Sequence, residues 1–323
     1  MMWPNLENLL SDNQLDELAS GFSVELDQFQ KNEKITAELQ LLLKPLYLPL
    51  AKWIVKQSDN MLLNEAIIIG INGAQGSGKS TLCKLLVVIL EKIFNKQVLH
   101  LSIDDLYLSR SERLSLANKV HSLLKVRGVP GTHNVNRGIN ILKQIKERSS
   151  NTIRLPVFDK SIDDLIPENK WPSIKNNINI VLFEGWCVGA KAQLNAELFE
   201  PINTLEKVND EDRIWRTYVN EQLSNQYAEL FSYINYLIML EVPDIASVFE
   251  WRKLQEEKLF NNKLESNSHS HSHNKIMSEA ELQNFLMHFE RITQSCLKYM
   301  PARADVLLKI NKAHQIMKVK LRV

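Results

Sequence analysis

The chain has 323 residues, with 39 Lys and Arg against 38 Asp and Glu, for a net charge of +1. That length suits one large α/β core, or a core with a smaller appended part, and the balanced charge gives no electrostatic reason to expect nucleic acid or an anionic membrane as partner. No apolar run approaches the ~20 residues that span a bilayer, and the start MMWPNLENLLSDN, acidic from Glu7 with no Arg before Arg110, resembles neither a secretory nor a transit leader.

Residues 1–60 read as a helical segment. Leu39, Leu42, Leu43, Leu46 and Leu50 recur at helical intervals, and Pro45 and Pro49 interrupt the last part. The segment carries no chemical motif and is expected to cap the domain that follows, residues 61–323.

That domain opens with its most informative feature. Ala66 to Ile71 is a short apolar run suited to a buried parallel strand, and Leu82, Leu85, Leu86, Ile89 and Ile93 follow at helical spacing. Between them, Gly73, Ala74, Gln75, Gly76, Ser77, Gly78, Lys79 and Ser80 fit the phosphate-binding pattern G-x-x-x-x-G-K-[ST] at every fixed position, with Thr81 next. From ordinary residue frequencies, a chain of this length shows the pattern by accident roughly once in a hundred. The glycines let backbone N–H groups wrap a triphosphate, and the helix begun at Lys79 adds its positive end. Lys79 is then placed for the β and γ phosphates and Ser80 for Mg²⁺.

Further strand-length runs follow at Val98–Ile103, Ile178–Phe183, Tyr236–Leu240 and Val306–Ile310, separated by long helical stretches. The alternation predicts an α/β fold of the P-loop NTPase kind: a doubly wound, mostly parallel sheet with flanking helices. Acids stand just past three runs, namely Asp104 with Asp105, Glu184, and Glu241. In open α/β sheets ligands bind outside the carboxyl ends of the strands, so Asp104, Asp105 and Glu184 are expected to share the crevice of the glycine loop. Phosphoryl transfer to an alcohol needs a carboxylate to orient the hydroxyl and take its proton; Asp104 is the candidate, and Glu184 the candidate partner of the metal. Glu241 precedes Val242-Pro243 and reads as a solvated acid at a turn. The run Ser268 to His273 alternates Ser and His inside a polar stretch, which reads as a mobile loop without a metal scaffold. Cys83, Cys187 and Cys296 lack metal-ligand spacing and read as buried thiols in a reduced, cytoplasmic setting.

Six motifs occur in a fixed order: Gly73 to Ser80, Ser102-Ile103-Asp104-Asp105-Leu106-Tyr107, Arg127-Gly128-Val129-Pro130-Gly131-Thr132-His133, Phe158-Asp159-Lys160-Ser161, Leu182-Phe183-Glu184-Gly185-Trp186 and Trp251-Arg252. Together they resemble the plant-type D-glycerate 3-kinases and the related bacterial and fungal ATP-dependent kinases, and more distantly uridine kinase, pantothenate kinase and phosphoribulokinase. The resemblance covers residues 60–323. It implies an enzyme using ATP and Mg²⁺ to phosphorylate a hydroxyl of a small acid, D-glycerate above all. It further implies Asp104 as acceptor base, with Asp105, Tyr107, Arg127, His133 and Lys160 on the substrate side. It places a lid over about residues 244–295, with Arg252 closing on the phosphates and Arg291 as a second cation. The acceptor side departs from the plant-type pattern: Asn134 stands where Asp is usual, Val157 where Arg often stands, and Ser161 to Trp171 lacks an Arg-rich insertion. A P-loop kinase for a pantothenate-like or nucleoside-like alcohol is the neighbouring reading, and an NTP-driven switch protein is the reading from a different class. Oligomeric state is not legible in the sequence.

Overall fold

The computed structural model describes residues 3–4, 9–35, 39–61, 65–254 and 278–322. The Ser-His run 268–273, with the part of the expected lid over 255–277, lies outside the described residues.

Helices α1 (Asp12–Gly21) and α2 (Ser23–Asn32) open the chain, the first started by Ser11 and Gln14, which cap each other's backbone N–H groups. The short α3 (Leu39–Leu42) runs through a π-helical turn, Leu43–Tyr47, into α4 (Leu48–Asp59). The prolines do not break the chain into separate pieces here. Pro45 sits in the wider π turn, and Pro49 lies in the first turn of α4, where no intrahelical N–H is needed.

The core sheet alternates strand and helix. Strand β1 (Ile67–Gly73) leads through the glycine loop to α5 (Lys79–Lys92), and β2 (Val98–Ser102) passes into a 3₁₀ turn, Ile103–Leu106. Helices α6 (Arg110–Lys119) and α7 (Val135–Glu147) follow, then four short strands, β3 (Thr152–Arg154), β4 (Phe158–Asp159), β5 (Asp164–Leu165) and β6 (Ser173–Lys175). These make two small antiparallel pairs, β3 with β6 and β4 with β5. Strand β7 (Ile180–Gly185) returns to the core, followed by α8 (Thr204–Asn209), α9 (Ile214–Ser224), α10 (Gln226–Ser232) and β8 (Tyr236–Glu241). Helix α11 is described over 245–254, and α12 (Glu279–Tyr299), β9 (Val306–Ile310) and β10 (Ile316–Leu321) complete the fold.

The main sheet has the order β10-β9-β8-β1-β7-β2 and is parallel except for β10, which pairs antiparallel with β9 at the edge. Because side chains alternate across a strand, Ile67, Ile69 and Ile71 of β1 and Ile180 and Leu182 of β7 face one layer, while Ile68, Val181 and Phe183 face the other. The first layer is filled by α5 and the N-terminal helices, through Phe22, Leu26, Leu46 and Ile54. The second is filled by α7, α9, α10 and α12. Each fully buried branched side chain contributes about 1.5–3 kcal/mol of apolar transfer, so sixty residues without a motif still hold up one face of the sheet. The chain leaves β1 toward β2 on one side and reaches β8 on the other, which opens a crevice at the carboxyl end of β1.

Candidate active site

The glycine loop starts where the fully buried β1 ends and closes where α5 begins at Lys79. Gly76 and Gly78 take φ of 76° and 87°, the left-handed region where a Cβ is strained, and a Cβ on Gly76 would also come 3.1 Å from that of Trp251. Trp251 in turn donates to the Lys312 carbonyl at 3.0 Å and stacks on His314, whose Nε2 lies 2.7 Å from the Gly76 carbonyl oxygen. Helix α11, through Trp251, and the loop after β9 are thereby fixed to the glycine loop.

Several buried polar atoms around this loop have no protein partner: Ser77 Oγ, both amide atoms of Gln75, and Glu184 Oε2. Buried polar groups are normally paired, and a polyphosphate carrying a divalent cation fits this set. Ser80 Oγ donates to Glu184 Oε1 at 2.9 Å, which joins a hydroxyl and a carboxylate, both hard oxygen ligands suited to Mg²⁺. Glu184 closes β7 and is almost wholly buried. Burial alone would raise its pKa, but His100, with Nε2 at 3.8 Å, and the ammonium of Lys79 outweigh that and hold it below the usual range. Among the described residues no group of three or more His, Cys, Asp or Glu is placed to hold a metal ion. A cation here would therefore draw most of its ligands from phosphate and water.

Asp104 follows β2 in the 3₁₀ turn, with its backbone N–H on Ser102 Oγ at 3.3 Å, and its side chain enters the same cavity of about 320 Å³ as Lys79 and Ser80. One carboxylate oxygen accepts from the Tyr107 hydroxyl at 2.9 Å and the other from Lys160 Nζ at 2.6 Å. Burial pushes the Asp104 carboxyl up, and Lys160, Lys79 and Tyr107 more than reverse it, so the group is held ionised. Burial and the Asp104 charge push the Tyr107 phenol well above its ordinary value, which keeps it a donor. Arg127 and Arg252 also line the cavity, and Trp186, Phe285 and Phe289 form its aromatic wall, with the Trp186 and Phe289 rings edge to face at 4.9 Å.

The loop from Arg127 to His133 is held from behind. Gly128 and Gly131 have φ of 140° and 99°, and a Cβ on either would come within 2.5 Å of Phe289 or of Tyr218. Thr132 Oγ1 accepts from the Gly128 N–H at 3.0 Å and donates to the Val129 carbonyl at 2.7 Å. The hydroxyl of Tyr227, fully buried on α10, accepts from the Gly131 N–H at 3.0 Å and lies 2.5 Å from His133 Nδ1. The His133 ring stacks on Tyr107 with centroids 4.5 Å apart.

Of the expected site residues, the cavity brings together Lys79, Ser80, Thr81, Gln75, Gly76, Gly78, Asp104, Tyr107, Arg127, Lys160, Glu184 and Arg252, while Gly73, Ala74 and Ser77 shape the loop around them. Three expected substrate contacts are corrected. Arg291 is buried in α12, its guanidinium bound to both carboxylate oxygens of Glu206 at 2.6 and 2.7 Å and to the carbonyls of Glu197 and Glu200, so it braces the helix and does not line the cavity. His133 lies behind Tyr107, and burial lowers its pKa to about 4, which makes it a neutral prop. Asp105 turns to the Phe158 backbone N–H and is likewise absent from the lining, with burial raising its pKa to about 6. The sequence reading missed Tyr227, Phe285 and Asp163. Asp163 binds Arg127 directly and Arg113 Nη2 at 2.9 Å, so Arg127 meets the cavity with part of its charge already compensated. Only the placement of Asp163 two residues past the Phe158–Ser161 motif offered a signal; nothing in the local sequence marks Tyr227.

No family model matches the chain. An uncharacterized kinase of Schizosaccharomyces pombe, mug58, is 33% identical over 236 residues, covering 69% of this chain and 78% of the yeast protein. The chloroplastic D-glycerate 3-kinase of Arabidopsis thaliana is 27% identical over 248 residues, 71% of this chain, and the match spans only 51% of the plant protein. In three dimensions the D-glycerate 3-kinase of Cryptococcus neoformans superposes with a TM-score of 0.70 over 85% of this chain and 99% of that one at 21% identity, a likeness of fold. With the glycine loop, the parallel sheet and these relatives in view, the chain belongs to the P-loop kinase family that includes the fission-yeast kinase, and it is an ATP-dependent phosphotransferase similar to the D-glycerate 3-kinases.

Proposed function

We propose that this kinase transfers the γ-phosphoryl group of ATP to a hydroxyl of a small hydroxy acid, D-glycerate first among candidates. The observation that carries the reading is the position of Asp104, ionised and clamped by Tyr107 and Lys160 in the cavity that also holds Lys79. Backbone N–H groups of Gly73 to Thr81 cradle the phosphates, and Lys79 holds the β and γ groups. Ser80 and Glu184 would hold Mg²⁺, which would supply positive charge against the phosphates during transfer. Asp104 accepts the hydroxyl proton of the acceptor, a role typically worth ~10² to 10⁴ in rate. Lys160, which stays on Asp104, also presents its ammonium to the substrate carboxylate, and Arg127, less Asp163's share of its charge, is the second cation for it. Arg252 on α11 reaches the phosphates as a lid residue of the region 244–295. The cavity of about 320 Å³, bounded by Trp186, Phe285 and Phe289, favours a compact acceptor.

Purified protein with ATP and Mg²⁺ is to be assayed against glycerate, pantothenate, uridine and ribulose phosphate. Glycerate turnover well above the other three supports the reading. Turnover of uridine in its place overturns the acid-acceptor assignment, and turnover of pantothenate in its place overturns glycerate as the first candidate.

A further inference from the structure

A larger cavity, of about 750 Å³, lies at the other end of the sheet. It is bounded by Leu237 at the start of β8, Asp305 just before β9 and Arg322 just after β10. Strands β8 and β9 run parallel with β1, so their amino ends are at the edge opposite the glycine loop. Three cations line it, Lys191, Arg303 and Arg322, against the single carboxylate of Asp305, which already accepts from the Leu237 N–H at 2.8 Å. Its floor is apolar, with Leu223, Phe231 and Ile234.

Arg303 is the central feature. Its guanidinium is half-buried in the wall between this cavity and a neighbouring one, and both have Lys191 and Arg303 in their linings. It gives one hydrogen bond to protein, from Nη2 to the Gly189 carbonyl at 3.0 Å, out of the five N–H donors a guanidinium carries. Among the described residues neither Arg303, Arg322 nor Lys191 has a carboxylate within ion-pair distance. Four other buried or half-buried arginines do have carboxylate partners: Arg113 and Arg127 share Asp163, Arg216 has Asp210 and Arg291 has Glu206. Burial lowers the Arg303 pKa, the mark of a desolvated cation without a counter-charge. A guanidinium in that state matches a planar or tetrahedral oxyanion through paired N–H groups.

We propose that this cavity is a second binding site, for a small organic anion with a carboxylate or phosphate headgroup and an apolar body. Arg303 anchors the headgroup, Lys191 and Arg322 add charge, and the Leu223–Phe231–Ile234 floor takes the body. The site is independent of the phosphoryl-transfer chemistry, since it lies on the far edge of the sheet.

Isothermal titration calorimetry on the full chain tests this, with the glycine loop saturated by ADP and Mg²⁺ so that it does not take the probes. Benzoate and phenyl phosphate are the two anionic probes and separate the headgroups; benzyl alcohol is the neutral control. One equivalent of at least one anion binds the wild-type protein, benzyl alcohol does not, and Arg303→Met weakens the binding at least about tenfold. Because Arg303→Met also removes the bond to Gly189, the exposed Lys191→Glu serves as a second variant, and the same anion weakens there too. The proposal is overturned if neither anion binds, if benzyl alcohol binds as well as the anions, or if both variants keep wild-type affinity.

Discussion

The two halves of the candidate active site are built differently. The phosphate half, Gly73 to Thr81, is one unbroken stretch whose geometry comes from a strand end, a helix start and two left-handed glycines. The acceptor half is assembled from four separate segments, carrying Asp104, Arg127, Lys160 and Phe289, which meet only through contacts made in the folded state. A local motif tolerates drift elsewhere in the chain, whereas the acceptor half depends on props such as Tyr227, 94 residues from the His133 it supports. On the proposed function, substrate preference is set in the props and cations of the second half, with the first half unchanged.

The comparison is broken most severely from the phosphate side. Lys79→Met removes the charge aimed at the phosphates, and acceptor phosphorylation is expected to fall ~10² to 10³-fold by coupled assay. On the acceptor side, Lys160→Met is expected to raise KM for an acid acceptor ~10- to 100-fold, the scale of a charge-assisted hydrogen bond, with ATP affinity unchanged by fluorescence titration. The same variant sharpens the electrostatics. Lys160 is the chief group lowering Asp104, so its loss leaves burial to raise that carboxyl. A base works when deprotonated, so the acid limb of the pH–rate profile moves to higher pH in Lys160→Met, while the wild-type limb stays below the ordinary carboxylate range, about pH 4.

A smaller effect is expected from Tyr227→Phe. Losing its hydroxyl frees the Gly131 N–H and His133 Nδ1, which act on the cavity only through Tyr107 and the loop. We expect ~5- to 10-fold in kcat/KM for the acceptor, a stability loss of about 1 kcal/mol in urea unfolding, and no change in nucleotide affinity.

The phosphate half was legible because a P-loop is contiguous and its flanks show strand and helix periodicity directly. All five strands read from apolar runs start within two residues of their observed starts, and Asp104 is found because strand ends in a parallel sheet face one crevice. Strand β10 escaped notice because Lys318 and Lys320 alternate outward on an edge strand, so no apolar run forms. Arg291 misled because a cation on a lid-like helix looks the same in sequence whether it faces substrate or a buried Glu206. Asp104 and Asp105, adjacent in sequence, part ways in space: one enters the cavity and the other turns to the Phe158 N–H.

That last contrast yields the smallest effect. Asp105 has its pKa raised to about 6, so folding disfavours its ionised form. For a carboxyl raised in the folded state, the cost is absent below its unfolded pKa, grows as pH rises toward about 6, and is full above that. Asp105→Asn is therefore expected to raise the midpoint of thermal unfolding near neutral pH, by about 1 kcal/mol of stability, to leave it unchanged near pH 4, and to keep kinase activity.

The central claim is that Asp104 is the base poised between a bound triphosphate and an acid's hydroxyl. Acceptor-dependent ATP turnover in Asp104→Asn, measured beside ATP affinity, tests it most directly. The account predicts nucleotide binding within about twofold of wild type and acceptor phosphorylation down at least ~10²-fold. Glycerate phosphorylation at the wild-type rate in Asp104→Asn would contradict it.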